Sequence, residues 1–319
     1  MKASRWALLW LAAMLGSANA QADSYPVRPV RFVVPFAAGG PTDAAARLFA
    51  EPLRKQLGQS VVIENRPGGG GTAGTEAVLN GPRDGYMLLL GAPGPLFVTP
   101  SVRAVRYDVQ KDLVPLAEIW RSPQVLVVHP KLKAKTLGEL TALAKSGKIN
   151  AGSAGVGTLP HLSIELLKRE AGVNIVHVPY RGTGAAVPDL LGGSIDMLFG
   201  DVAVLASLVT GGKVNALAVT AAQRSPLLPN VMTTAEAGVP ALAVENWYAM
   251  MVPANLPPAV MSKLRTAARD AVMDADFRAA LAKQGAGSGD ATPERLAQWV
   301  ATETAKWAPV ARAAGIKLD

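Results

Sequence analysis

Apolar residues come in short β-rich runs that alternate with longer stretches of helical spacing, separated by glycine- and proline-rich loops. Residues 30–34 (Val-Arg-Phe-Val-Val) predict a strand and residues 35–43 a loop. Residues 44–57 predict a helix, with Pro52 expected to kink or break it. A second strand is expected at 61–64. The glycines at 68–71 then lead into a helix near 72–79. Pro82-Arg83-Asp84-Gly85 has turn chemistry, and a third strand at 86–90 ends in the loop Gly91-Ala92-Pro93-Gly94. This alternation of strand, loop and helix predicts a parallel sheet built from βαβ units. Ligands bind such sheets at the loops that follow the strands.

The pattern then restarts. Strands are expected at 125–128, 149–151, 175–178, 195–199 and 216–219, and helices at 137–145, 159–171, 185–191 and 202–210. Thr136 is the expected N-cap of the first of these helices, and Leu159, Leu162 and Leu166 share a face of the second. From about residue 257 the chain reads as helical, at 258–274, 276–283 and 293–314. Two α/β lobes fit this order, with the chain crossing between them near 121–123 and 245–247.

Composition adds the compartment. Lys2 and Arg5 precede an apolar run at 6–15 that is too short to span a bilayer, and Ala18-Asn19-Ala20 is a small-x-small cleavage signature. A signal peptide cleaved after Ala20 is therefore expected, which leaves 299 of the 319 residues and takes the formal charge from +8 to +6. The chain has no cysteine, which excludes disulfides, thiolate catalysis and a lipid anchor on cysteine. Lys and Arg are scattered, with no run of four and no interleaved aromatics, so there is no nucleic-acid footprint. With 50% hydrophobic but only 5% aromatic residues, the core is one of Ala, Val and Leu.

Three loops carry candidate chemistry. The first is Phe36-Ala37-Ala38-Gly39-Gly40-Pro41-Thr42-Asp43, where glycines let backbone approach a ligand and Thr42 is the expected cap of the next helix. The free N–H groups at such a helix start make a carboxylate cradle. Asp43 would repel an anion, so a capping, water-ordering or polar-ligand role is expected for it. The second is Ser153-Ala154-Gly155-Val156-Gly157-Thr158 with His161, whose place in the first helical turn favours a neutral imidazole. A buried histidine satisfied by backbone is the equal alternative. The third combines residues 178–184, including Tyr180, Arg181 and Gly182, with Gly200-Asp201. Surface charge and core packing explain Arg181 and Tyr180 equally well.

Enzyme readings fit less well. Residues 151–155 miss the G-x-S-x-G nucleophile elbow because Ala151 stands at the first glycine. His129, His161 and His177 have no metal-ligand spacing. Gly69-Gly70-Gly71-Thr72-Ala73-Gly74 does match G-x-G-x-x-G between a strand and a helix. The next strand, however, ends in Gly91-Ala92 with no acid for the ribose hydroxyls, so the run is read as a tight turn that permits close helix–strand packing. No cofactor and no metal are expected.

Many of these segments, in order, resemble the Bug-type solute-binding proteins of tripartite tricarboxylate transporters. The resemblance rests on Tyr25-Pro26, Val33-Val34-Pro35-Phe36, Gly39-Gly40, Thr42-Asp43, Glu64-Asn65-Arg66-Pro67-Gly68 and Asp84-Gly85-Tyr86. It continues through Tyr107-Asp108, residues 153–157 with His161, Val178-Pro179-Tyr180-Arg181-Gly182, Leu217-Ala218-Val219-Thr220 and Glu236-Ala237-Gly238. Ala37-Ala38, Thr158 and Pro160 depart from the commoner pattern. The resemblance implies a type II periplasmic-binding-protein fold, two α/β lobes around a cleft with a two-crossing hinge, and no catalysis. The lobes are expected at 21–122 with 246–319, and at 123–245. It also implies a carboxylate held by Ala37, Ala38, Gly39, Gly40, Thr42 and Asp43 of one lobe and by Ser153, Ala154, Gly157, Thr158 and His161 of the other. Gly91, Ala92, Pro93, Arg181, Gly182 and Asp201 complete the expected site. Expected partners are a small di- or tricarboxylate, amino acid or aromatic acid, and the membrane permease of the transporter, with the protein a periplasmic monomer. A membrane-sensor input module and, less well supported, a secreted hydrolase are the alternatives.

Overall fold

The structure, a computed structural model, describes residues 25–289 and 293–316. The expected signal peptide at 1–20 lies outside the described residues. Two three-strand units share one strand order. In the first, β1 (Val30–Val34) lies between β2 (Val61–Asn65) and β3 (Met87–Gly91), all parallel. In the second, β5 (Ile149–Ser153) lies between β6 (Ile175–Pro179) and β7 (Met197–Asp201), again parallel. Two antiparallel strands join the units. β4 (Leu113–Val128) pairs with β9 (Glu245–Pro253) over its first part and with β7 and β8 (Asn215–Val219) over its last. β9 also pairs with β3, which gives one continuous order, β2-β1-β3-β9-β4-β7-β5-β6, with β8 attached to β4.

Period-two alternation places the core. Val30, Phe32 and Val34 of β1 pack with Leu88 and Leu90 of β3 on one face, while Val33, Met87 and Leu89 pack on the other. In β4, Val125 and Val127 face one cluster, and Leu126 and Val128 another. Helices α1 (Pro41–Leu57) and α7 (Pro258–Val272) cover the first face side by side, through Phe49 and Leu53 and through Leu264 and Ala268, and α8 (Ala275–Lys283) packs Phe277 into the same cluster. Helix α9 (Pro293–Ala313) buries Leu296, Trp307 and Val310 in a cluster that takes side chains from both units. No helix of the described residues is long and apolar enough to cross a membrane.

Helices α2 (Thr72–Leu79), α3 (Leu137–Ser146), α4 (Leu159–Ala171), α5 (Thr183–Leu191) and α6 (Val202–Thr210) follow the sequence pattern to within a few residues. The Thr136 cap forms a full capping box with Glu139. Three expectations change. Helix α1 runs unbroken through Pro52. The strand expected at 125–128 is the end of a 16-residue strand. Pro115 and Pro123 argue against a strand in sequence, but the ladder shifts register between Pro115 and Ala117 and again between Glu118 and Trp120, which accommodates the break. Glu118, nearly buried, is neutralised by Arg121 at 2.6 and 2.9 Å. The sequence marks β9 only as a crossing, because its buried run Trp247 to Val252 lacks a one-sided polar alternation.

Candidate functional site

The loops that follow β1 and β5 leave the middle strand of each parallel unit, where the following loops diverge and open a crevice. A cavity of about 530 Å³ lies there, lined from both units.

The first wall is the loop after β1. Gly39 takes φ 83°, a conformation that favours glycine. The expectation that Thr42 caps α1 is corrected: Gly40 is the cap, Pro41 the first helical residue, and no side-chain cap bond forms. Proline has no N–H and fixes φ for the first turn, so it starts the helix one residue before Thr42. The Gly40, Thr42 and Asp43 N–H groups have no acceptor among the described residues. Phe36, Ala37, Ala38, Gly39, Gly40, Pro41 and Thr42 line the cavity, and Asp43 does not. Its carboxylate instead accepts from the Gly39 N–H at 3.0 Å, Arg47 Nε at 2.9 Å and Asn65 Nδ2 at 3.0 Å. Asn65 also donates to the Phe36 carbonyl at 3.1 Å, so β2 braces the loop. Burial pushes the Asp43 pKa up, but the bonds from Arg47, Gly39 and Asn65 outweigh it and hold the carboxyl below its ordinary value.

The second wall is the loop after β5. Ala154, Val156, Gly157, Thr158, Leu159 and Pro160 line the cavity. Thr158 is the N-cap of α4 by backbone alone, since its hydroxyl donates to the Gly155 carbonyl at 2.7 Å. Ser153 and His161 lie behind the loop and outside the wall. Ser153 Oγ accepts the Gly155 N–H at 3.1 Å and lies 2.6 Å from His177 Nε2. His161 Nδ1 accepts the Gly157 N–H at 3.1 Å, so the buried, backbone-satisfied alternative describes it. Its ring stacks on His177 with centroids 3.7 Å apart. Burial, with the neighbouring His177 and Lys168 charges, pushes the His161 pKa down to about 3, and burial pushes His177 to about 4. Both are neutral at pH 7.

The remaining walls come from other strand ends. Ala92, Pro93 and Gly94 follow β3, and Gly70 and Thr99 adjoin them. Gly91 is not in the wall: a Cβ there would collide with Met251 of β9, so it serves strand packing. Arg181 and Gly182 follow β6, with the Gly182 N–H donating to the Ala154 carbonyl at 3.1 Å. The exposed Arg181 has no ion pair or hydrogen bond among the described residues. Tyr180 is outside the wall and donates to Asp189 at 2.5 Å. Asp201 ends β7 and lines the cavity beside Asn246 and Tyr248 of β9. Those two had no expected role because β9 was not recognised as a strand; the alternation of Asn246 and Tyr248 about Trp247 was the available signal. Gly70 belongs to the G-x-G-x-x-G run, but Gly74 shows what that run does. A Cβ on Gly74 would lie 2.8 Å from Pro35 Cα, so the run lets α2 meet the end of β1 at backbone distance. Among the described residues no cluster of acidic and histidine side chains is placed to hold a metal.

Two equivalent α/β units, two crossing strands and a cavity rimmed by helix N-termini define the class: a periplasmic binding protein. Residues 45–316 match the family model described as the tripartite tricarboxylate transporter family receptor. The chain belongs to that family. It is 38% identical to protein BugT of Bordetella pertussis over 306 residues, 95% of this chain and 94% of that one. Among solved structures it is similar to the R. palustris protein Rpa4515 with adipate, at TM-score 0.82 and 34% identity, covering 92% of this chain and 99% of that one. It is also similar to MatC from Rhodopseudomonas palustris with bound malate, at TM-score 0.79 and 33% identity, covering 90% and 100%. The family is described as one of receptors.

Proposed function

We propose that this chain is a periplasmic receptor that captures a small carboxylate between its two α/β units and delivers it unchanged to the membrane permease of a tripartite tricarboxylate-type transporter. One observation carries the reading: the starts of α1 and α4, from different units, open into one cavity. Unpaired N–H groups at Gly40, Thr42 and Asp43 supply donors at the positive end of α1, and the unpaired Arg181 adds a full charge. Hydrogen bonds to a charged group are worth about 1.5–3 kcal/mol each, so a few reach the roughly −8 kcal/mol of micromolar binding. A ligand touching both units favours their approach, because only differential contact shifts a conformational equilibrium. A lobe division at 122/123 and 245/246 is supported by the passage of β4 from β9 to β7 between Pro123 and Gln124 and by the start of β9 at Glu245, each within a residue of it. Export follows cleavage after Ala20. The adipate and malate held by relatives support the carboxylate class.

The test is Gly40→Leu. Gly40 has φ −86°, open to any residue, and a Cβ there meets its nearest atom at an ordinary 3.8 Å. The variant should fold normally and fill the cavity. Calorimetry against adipate, malate and a wider carboxylate series should show a roughly hundredfold or greater loss of affinity relative to the parent chain, since over about 3 kcal/mol of donor contacts is displaced. Parent protein that ignores every carboxylate but is thermally stabilised by a sugar or cation would refute the reading.

A further inference from the structure

The polar groups at Asp201 are unevenly satisfied. Asp201 is 6% exposed and makes no side-chain cap bond to α6. Its Oδ2 accepts from Thr183 Oγ1 at 3.3 Å and its Oδ1 from Asn246 Nδ2 at 3.4 Å. Both bonds are long, both donors are neutral, and no cation among the described residues pairs with it. Asn246 Nδ2 also donates to Tyr248 Oη at 2.8 Å, which uses its two hydrogens. Asn246 Oδ1 has no donor among the described residues, although Asn246 lines the cavity. A carboxylate short of donors therefore stands beside an amide oxygen with none. Burial raises the Asp201 pKa, and the bonds from Asn246, Thr183 and its own backbone N–H only partly offset it. An added donor would complete the set.

We propose that Asp201 and Asn246, the latter held by its bond to Tyr248, form an acceptor-rich subsite that selects, among carboxylates, those carrying a hydroxyl or ammonium group on the carbon chain. This rests on the carboxylate reading above. The α1 and α4 starts offer surplus donors to the acid group, and the Asp201 subsite offers surplus acceptors to the second group. An acid without a donor leaves Asp201 and Asn246 unsatisfied in a closed, dry cavity, which lowers its affinity. β9 supplies two of the three side chains, so the strand that joins the units also reads the ligand.

Succinate, malate and aspartate test this, since they share a four-carbon diacid and differ at one carbon by hydrogen, hydroxyl or ammonium. Adipate with its 2-hydroxy and 2-amino counterparts repeats the comparison at greater length. Calorimetry on the mature chain should show at least one donor-bearing acid binding about tenfold or more tighter than its plain diacid. Aspartate best identifies an ammonium, and malate a hydroxyl. Asp201→Asn should shrink that ratio to within about threefold. Asn246→Ala should shrink it too, which keeps the test open if Asp201→Asn fails to fold. Plain diacids binding as tightly or tighter, above all with affinity rising at lower pH, would show a protonated Asp201 donating to a second carboxylate and overturn the proposal. A ratio unchanged in the folded variants would also overturn it. No heat from any acid would instead refute the carboxylate reading, and the proposal with it.

Discussion

Replacing Asp43 by asparagine strikes the brace of the first loop without touching the cavity wall. Oδ2 takes both the Gly39 N–H and Arg47 Nε, and Oδ1 takes Asn65 Nδ2. An amide nitrogen at either position would face a donor, so at least one bond is lost and the rest lose their charge assistance. The Arg47 side chain is 56% exposed, so solvent screens most of its share. The Asp43 side chain is only 6% exposed, and each remaining bond to the charged carboxylate is worth about 1.5–3 kcal/mol. The expected loss is about 2–4 kcal/mol, a fall of roughly 3–6 °C in melting midpoint for a chain of this size. Differential scanning calorimetry measures it. A pH series gives a second readout. The folded Asp43 pKa lies below its unfolded value, so its stabilisation is present above about pH 4 and is lost as pH falls through the folded value. The variant should lose less stability than the parent over that acid range. A midpoint within 1 °C of the parent (roughly 0.6 kcal/mol), with the same acid limb, would refute the brace.

Gly74→Ala should destabilise by about 1–3 kcal/mol in urea unfolding, because its Cβ would lie 2.8 Å from Pro35 Cα and 3.0 Å from the Arg66 carbonyl; a neutral result would mean α2 shifts freely. The buried histidine pair predicts stability that rises with pH between about 4 and 6.5. His161 and His177 are held neutral with pKa values pushed down to about 3 and about 4, while the unfolded chain takes up protons near pH 6.5. Their contribution is full above the unfolded value and lost as pH falls toward the folded ones. His161→Phe keeps a ring against His177 and should flatten the difference between pH 5 and pH 7, and an unchanged slope would count against the pair.

Much of the architecture was legible because local patterns stated it. Alternating strands and helices, the capping box at Thr136 and the glycine turns have causes within a few residues of themselves. β9 and the first part of β4 were not legible. Their prolines, charges and two-sided burial make sense only when each lies beside the other, with bulges absorbing the breaks and Arg121 neutralising Glu118. The site divides the same way. Residues 37–42, Ala154 and residues 156–158 line the cavity, while Asp43, Ser153 and His161 stand behind it. Sequence shows that a polar side chain sits near a loop; which side of the loop it occupies depends on what donor waits there.

The sequence by itself determined two α/β units, glycine loops leading into helix starts, and membership of a receptor family, because backbone propensity, periodicity and ordered motifs are local properties. Only the tertiary structure decided which helix starts share a cavity, which side chains brace it, and that Asn246, bonded to Tyr248, meets Asp201 across 45 residues of chain. Hydrogen-bond satisfaction depends on distance in space, and partners far apart in sequence carry no local mark of one another.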